Sequence, residues 1–272
     1  MKEITFGQYY PSNSFVHKMD ARIKILLTIA YIVAVFLVRS YHFLGFLACF
    51  SFVVLTTIVA KIPFGKVLKS VKAILFFILL SAVIQILFNK QGTPLWEGGF
   101  ITDLGLLSAG FIVARITLIV LGASLLTFTT SPVEIADGIE SLMYPLKFIK
   151  FPVHEFALIM SIALRFIPTL IGETDRIIKA QKARGADFES GNILKRAKAL
   201  IPVLIPLLIS SFRRAEELAD AMDARCFAGS KNRTKYKKMK LSFRDLIGVL
   251  FLGALITGVV FLNKFYILLM VA

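Results

Sequence analysis

Residues 180–186 read AQKARGA and residues 221–228 read AMDARCFA. In both, an Ala-x-x-Ala-Arg spacing closes a long helical pattern and a small residue follows, Gly185 or Cys226. At a helix end an arginine meets unsatisfied carbonyls and the negative end of the macrodipole, so a single one needs no partner. Gly185 also suits a left-handed C-cap. Two occurrences in one frame, Ala183 and Gly185 around Arg184, Ala224 and Cys226 around Arg225, allow more. Small flanks let another backbone come close, while the guanidinium reaches past the helix as a five-donor fork. That suits a prong entering a groove lined by carboxylates or carbonyls. Two similar prongs imply two similar sockets, hence a dimeric partner.

Other chemistry is sparse. His17, His42 and His154 are too scattered for a metal site, and there is no C-x-x-C. Cys49 and Cys226 fall in an apolar run and a polar segment, which argues against a disulfide framework. The chain contains no G-x-x-x-x-G-K-[ST], so any ATP must be handled by other chains. No nucleophile, base or metal constellation assembles, which speaks against an enzyme. Arg115 stands mid-way along an apolar run, where a charge is costly and calls for a partner inside the bundle. Arg165 has the position of an arginine that snorkels to the interface.

The elements that must position these residues are mostly membrane spans. Of 272 residues, 57% are hydrophobic and 18% charged, a balance outside the soluble globular range. Apolar runs cover 25–38, 43–60, 71–88, 104–128 and 246–262. A span needs roughly 20 residues, and the first run reaches that only with its flanks. The net charge is nevertheless +15, which suggests basic loops on the cytoplasmic side; nucleic-acid binding would explain the charge but not the spans. Lys18, Arg22 and Lys24 precede the first run, and Lys61, Lys66, Lys69 and Lys72 fall between the second and third. The loop from Asn89 to Asp103 carries Trp96, Glu97 and Asp103 instead. The N-terminus is therefore expected in the cytoplasm, and the bilayer is the surrounding medium.

Residues 129–242 differ from the rest. Ser131, Pro132 and Glu134 form an N-cap, an N1 proline and a capping-box partner, and Ile135, Ile139, Leu142 and Met143 follow at helical spacing. Residues 153–184 and 193–225 then read as two long helices with apolar first halves and charged second halves. Pro168 interrupts the first, Pro202 and Pro206 the second. Ile167, Leu170, Ile177, Ile178, Leu218 and Met222 have two readings: they pack the helices on each other, or they form a greasy platform for a membrane partner. The run KNRTKYKKMK, 231–240, suits contact with anionic lipid.

With these residues in view, the chain resembles the transmembrane T component of energy-coupling factor transporters, over nearly its whole length. FGQYYPSNSFVHKMDARIKILLTI, 6–29, with Asp20-x-Arg22-x-Lys24, is similar to the family's approach to its first span. Residues 131–170 resemble its first cytosolic stretch, and Ala183-Arg184-Gly185 and Ala224-Arg225-Cys226 match its two x-Arg-x motifs. Ala21 departs from the pattern, where the family commonly has proline.

The resemblance implies an all-α polytopic membrane protein. About five transmembrane helices are expected, with a cytosolic set of long coupling helices inserted before the last. The corresponding division is a bundle over 1–128, coupling helices over 129–242 and a final span over 243–272. It implies a non-catalytic subunit of an importer in a prokaryotic plasma membrane. Arg184 and Arg225 would dock into two cytosolic ATPase subunits, a homodimer or a heterodimer, which bind the ATP and Mg²⁺. A small substrate-binding S component would contact the coupling helices. The alternative is a self-sufficient secondary carrier.

Overall fold

The computed structural model of the chain describes residues 9–38, 43–89, 92–93, 102–149, 152–188, 190, 192–227, 229 and 242–271. His42, Trp96, Glu97, residues 6–8 and the basic run 231–240 lie outside the described residues. The helices are α1 (Ala21–Leu37), α2 (Phe43–Ala60), α3 (Phe64–Phe88), α4 (Asp103–Thr129), α5 (Pro132–Leu142), α6 (Val153–Ala183), α7 (Ile193–Asp223) and α8 (Phe243–Val271). A 3₁₀ turn covers Tyr144–Ile149. The chain forms two compact units, 1–139 with 239–272, and 140–238. The first boundary falls inside α5, because Gly138 packs closely on Ala21 and Ile25 of α1.

Among the described residues five helices are long and apolar enough to cross a membrane: α2, α3, α4, α6 and α8 as far as Lys264. The number agrees with expectation, but α6 takes the place of α1. With 17 residues, α1 extends about 26 Å, short of a hydrocarbon core of roughly 30 Å. Distribution separates α6 from the others. Apolar residues surround α1, α2, α3, α4 and α8 on all sides, whereas α5, α6 and α7 are strongly amphipathic. A further difference concerns α3. It begins at Phe64, directly after Pro63, so Lys66, Lys69 and Lys72 stand on its first turns and not in a loop. Their long stems can lie along the helix while the ammonium groups reach water.

The core of the first unit brings together Tyr31, Val35 and Val38 of the α1 segment, Cys49 and Val53 of α2, Leu118 and Leu121 of α4, and Leu252 and Val259 of α8. Tyr31 packs against Gly122, where an added Cβ would come within 2.3 Å of its ring. That glycine lets α1 and α4 approach.

Both ends of α1 are tied to distant segments. At its start, Asp20 accepts from the Arg22 N–H, and the Asp20 N–H donates to Asp245 Oδ1 at 2.9 Å. The other oxygen of Asp245 caps α8 by accepting from the Ser242 N–H. Lys24 is buried, and its Nζ donates to the carbonyls of His17 and Thr129, both at 3.0 Å. The segment before α1 is held in turn by His17, whose ring bonds to Ser14 Oγ and to the Tyr10 carbonyl. At the far end of α1, Arg115 Nη2 donates to the Val38 carbonyl at 2.7 Å and lies over the Phe46 ring. Asn263 Nδ2 donates to the Leu37 carbonyl at 2.8 Å. Terminal carbonyls within hydrocarbon need such donors, so the partner expected for Arg115 is the end of the short first helix.

In the second unit α6 and α7 pack together. Glu173 of α6 joins them, accepting from Ser210 Oγ at 2.6 Å and from Arg214 Nη2 at 2.7 Å. Each helix continues through its prolines, Pro168 in α6 and Pro202 and Pro206 in α7.

Candidate docking site at the helix tips

Arg184 and Arg225 end their helices in the same way. After α6, the Gly185 N–H donates to the Lys182 carbonyl and the Ala186 N–H to the Gln181 carbonyl, both at 3.0 Å. After α7, the Cys226 N–H donates to the Asp223 carbonyl at 2.9 Å and the Phe227 N–H to the Met222 carbonyl at 3.1 Å. These are the paired bonds of the Schellman motif. The residue after each arginine has a positive φ, +88° at Gly185 and +57° at Cys226. The backbone therefore turns away at once and leaves each guanidinium at the outermost point. Ala183, Arg184, Gly185, Ala224, Arg225 and Cys226 are all exposed.

The crossing of the helices lies at matching distances from the two tips. Arg184 is 11 residues beyond Glu173, and Arg225 is 11 beyond Arg214. Each arm is about 16 Å long.

Charge is what distinguishes the tips. Arg176, Lys179, Lys182 and Arg184 occupy the last turns of α6 with no carboxylate among them. The equivalent positions of α7 hold Glu217, Asp220, Asp223 and only one cation, Arg225. Cations at a helix C-terminus are favourable and carboxylates there are not, by about 0.3–1 kcal/mol each. The end of α6 is thus complementary to its own dipole, and the end of α7 is opposed to it.

Ile167, Leu170, Ile177, Ile178, Leu218 and Met222 are half-buried. Phe156 and Ile159 of α6 are bare, and more apolar surface is bare on α7, where Ile201, Leu204, Ile205, Leu208, Ile209 and Phe212 are each about half exposed or more. Their spacing of three and four residues puts them on one face. The spacing was present in the sequence but reads there as an apolar run broken by prolines. Arg165 is exposed on α6. Among the described residues no group of three or more His, Cys, Asp or Glu could hold a metal ion.

Comparison with known proteins gives the same direction along the whole chain. The family profile described as "CbiQ: Cobalt transport protein" matches residues 12–236. The energy-coupling factor transporter transmembrane protein EcfT of Clostridium kluyveri is 48% identical over 253 residues, covering 92% of this chain and 93% of that one. The protein of the same name from Ruminiclostridium cellulolyticum is 47% identical over 272 residues, with 99% and 98% covered. That of Bacillus subtilis is 41% identical over 261 residues, with 94% and 98% covered. With a membrane bundle, a separate pair of amphipathic helices and similarity of this extent, the chain belongs to the family of energy-coupling factor transporter transmembrane proteins.

Proposed function

We propose that this chain is the coupling subunit of an ATP-driven micronutrient importer and that its two arginine tips dock into two cytosolic ABC-type ATPase subunits. The observation that carries this reading is the repetition of one helix ending, bond for bond, beneath Arg184 and Arg225. Such an ending presents a guanidinium between small residues, which suits a groove. ATP and Mg²⁺ belong to the ATPase subunits, and this chain has no catalytic step of its own. The N-terminus faces the cytoplasm of a prokaryotic cell, on the side of the tips.

The opposite charge of the tips makes the assignment more specific. The α6 tip calls for a groove with acidic walls. The α7 tip calls for a single acceptor for Arg225, surrounded by basic residues that meet Glu217, Asp220 and Asp223. The unfavourable electrostatics of the free α7 end support this, because a cationic partner relieves them.

Between the tips, the Glu173–Arg214 bridge joins two arms of equal length, so a change in tip separation is passed along both helices. The apolar face of α7, with Ile167, Leu170, Ile177, Ile178, Leu218 and Met222 beside it, is the surface offered to a small substrate-binding membrane subunit.

The test is capture of the ATPase subunits by tagged chain from native membranes in mild detergent. Arg184→Glu and Arg225→Glu, alone and together, are expected to lose one or both ATPase chains while membrane insertion continues. Unchanged capture and uptake in the double variant would refute the docking.

A further inference from the structure

The first unit contains a cleft of about 400 Å³ between α1, α2, α4 and α8. Its floor is an aromatic stack, Tyr31 on Phe52 and Phe52 on Phe251, with centroids 5.5 and 5.0 Å apart. The hydroxyls along its walls are turned back onto the helices. Thr28 donates to the Lys24 carbonyl, Thr56 to that of Phe52 and Thr129 to that of Leu125, all within 2.8 Å. Lys24, at one end, is engaged by the carbonyls of His17 and Thr129. The walls therefore present hydrocarbon. The space would hold roughly a dozen waters, each needing two to four polar partners, and these walls do not supply them.

The opening of the cleft indicates what enters. Leu55 and Val59 of α2 and Ile247 and Phe251 of α8 line it and are 41–47% exposed. They lie on helices that are apolar all round, so the cleft is continuous with the bilayer interior. Where this apolar rim ends, each helix places a cation. Lys61 follows the last residue of α2, and Arg244 lies one turn before Ile247 in α8. At the end of the cleft that holds Lys24, Glu134, Asp245 and Asp20 favour the charged ammonium against its burial. The two cations favour a negative headgroup outside the cleft, while the apolar walls and aromatic floor accept only hydrocarbon, which fits a phospholipid with its headgroup at the rim. From Lys24 to Tyr31 the cleft runs about 10 Å, two thirds of a leaflet's hydrocarbon depth of roughly 15 Å.

We propose that this cleft is a binding site for one acyl chain of a glycerophospholipid, with the phosphate held at the rim by Lys61 and Arg244. The chain fills the space that the four helices leave open and so becomes part of the packing of the bundle. This site does not depend on docking at the helix tips.

The test uses the full chain reconstituted in bilayers that contain a phosphatidylglycerol with a diazirine midway along one acyl chain. After irradiation, adducts are located by peptide mass spectrometry. Adducts are expected on Tyr31, Leu126 and Phe251 as well as on bilayer-facing residues of α3 such as Phe76 and Phe77. Leu126→Trp, which fills the cleft, and Val59→Trp, at its exposed rim, are expected to remove the cleft adducts and leave those on α3. Lys61→Glu with Arg244→Glu should reduce cleft labelling several-fold, and a diacylglycerol with the same photoreactive chain should be insensitive to that change. Labelling of α3 with none in the cleft would overturn the site, since it would mean that protein closes or fills it. Equal labelling by both lipids, unaffected by the charge reversals, would overturn the headgroup assignment.

Discussion

Cys226 bears a backbone cost that Gly185 does not. A side chain at φ +57° is disfavoured by roughly 1–2 kcal/mol, whereas glycine takes this region freely. Cys226→Gly is therefore expected to stabilise the end of α7 by about 1 kcal/mol, after allowing for the freedom glycine adds to the unfolded chain. Gly185→Val should act in the opposite direction at the end of α6. Amide exchange over 181–186 and 222–227 measures both, and slower exchange at 222–227 in the cysteine variant is the expected sign. The match between the tips was legible in the Ala-x-x-Ala-Arg spacing. The αL conformation of Cys226 was not, because nothing in the residue type signals it. His17 gives a second prediction at this scale. Burial holds its imidazole below the ordinary value, with Lys24 adding to this against the Tyr10 carbonyl that accepts from the ring. The neutral ring is thus favoured in the folded segment, and its contribution is complete above about pH 6.5. As pH falls below that value the unfolded segment takes up the proton first, and stability is lost through the folded pKa. Protection of residues 9–20, corrected for intrinsic exchange, should fall between neutral pH and pH 5, and His17→Gln should remove the dependence.

For helices α6 and α7, the proposed sharing of a push between the tips rests on the Glu173–Arg214 bridge. Glu173→Arg sets like charges against each other at the crossing. In proteoliposomes containing the whole complex, ATP hydrolysis is expected to continue while uptake per ATP falls several-fold. Combining it with Arg214→Glu restores the pair and should recover most of the coupling. If the single reversal left uptake per ATP unchanged, the crossing would not transmit the motion. Local elements of this kind were only partly legible. The capping box was: the Glu134 N–H donates to Ser131 Oγ and the Ser131 N–H to Glu134 Oε2, as S-x-x-E predicts. The bridge was not, since Glu173 and Arg214 are 41 residues apart and charged pairs at that distance carry no periodic signal. Nor was the cap on α1, whose donor Arg115 lies 77 residues beyond Val38.

For the molecule as a whole, separate surfaces imply separable losses. Leu204→Glu with Leu208→Glu, on the bare face of α7, is expected to release the small membrane subunit and keep the ATPase pair. The arginine reversals should do the converse, and co-purification from native membranes reads both. Simultaneous loss of both partners from the leucine variant would count against two surfaces. Spans and amphipathic helices were legible because hydrophobic periodicity records the medium around a helix. Which of α1 and α6 is long enough to cross was not, because flanks and breakers set helix ends only to within a few residues. The ties that close α1 also place it in time. Its buried ammonium waits for Thr129, 105 residues later, and its last carbonyls for Asn263, 226 residues after Leu37. At 5–20 residues per second that second interval is roughly 10–45 s of synthesis. Helix α1 is thus synthesised well before the segments that complete its hydrogen bonding, and its last carbonyls stay without the Asn263 donor until α8 is made.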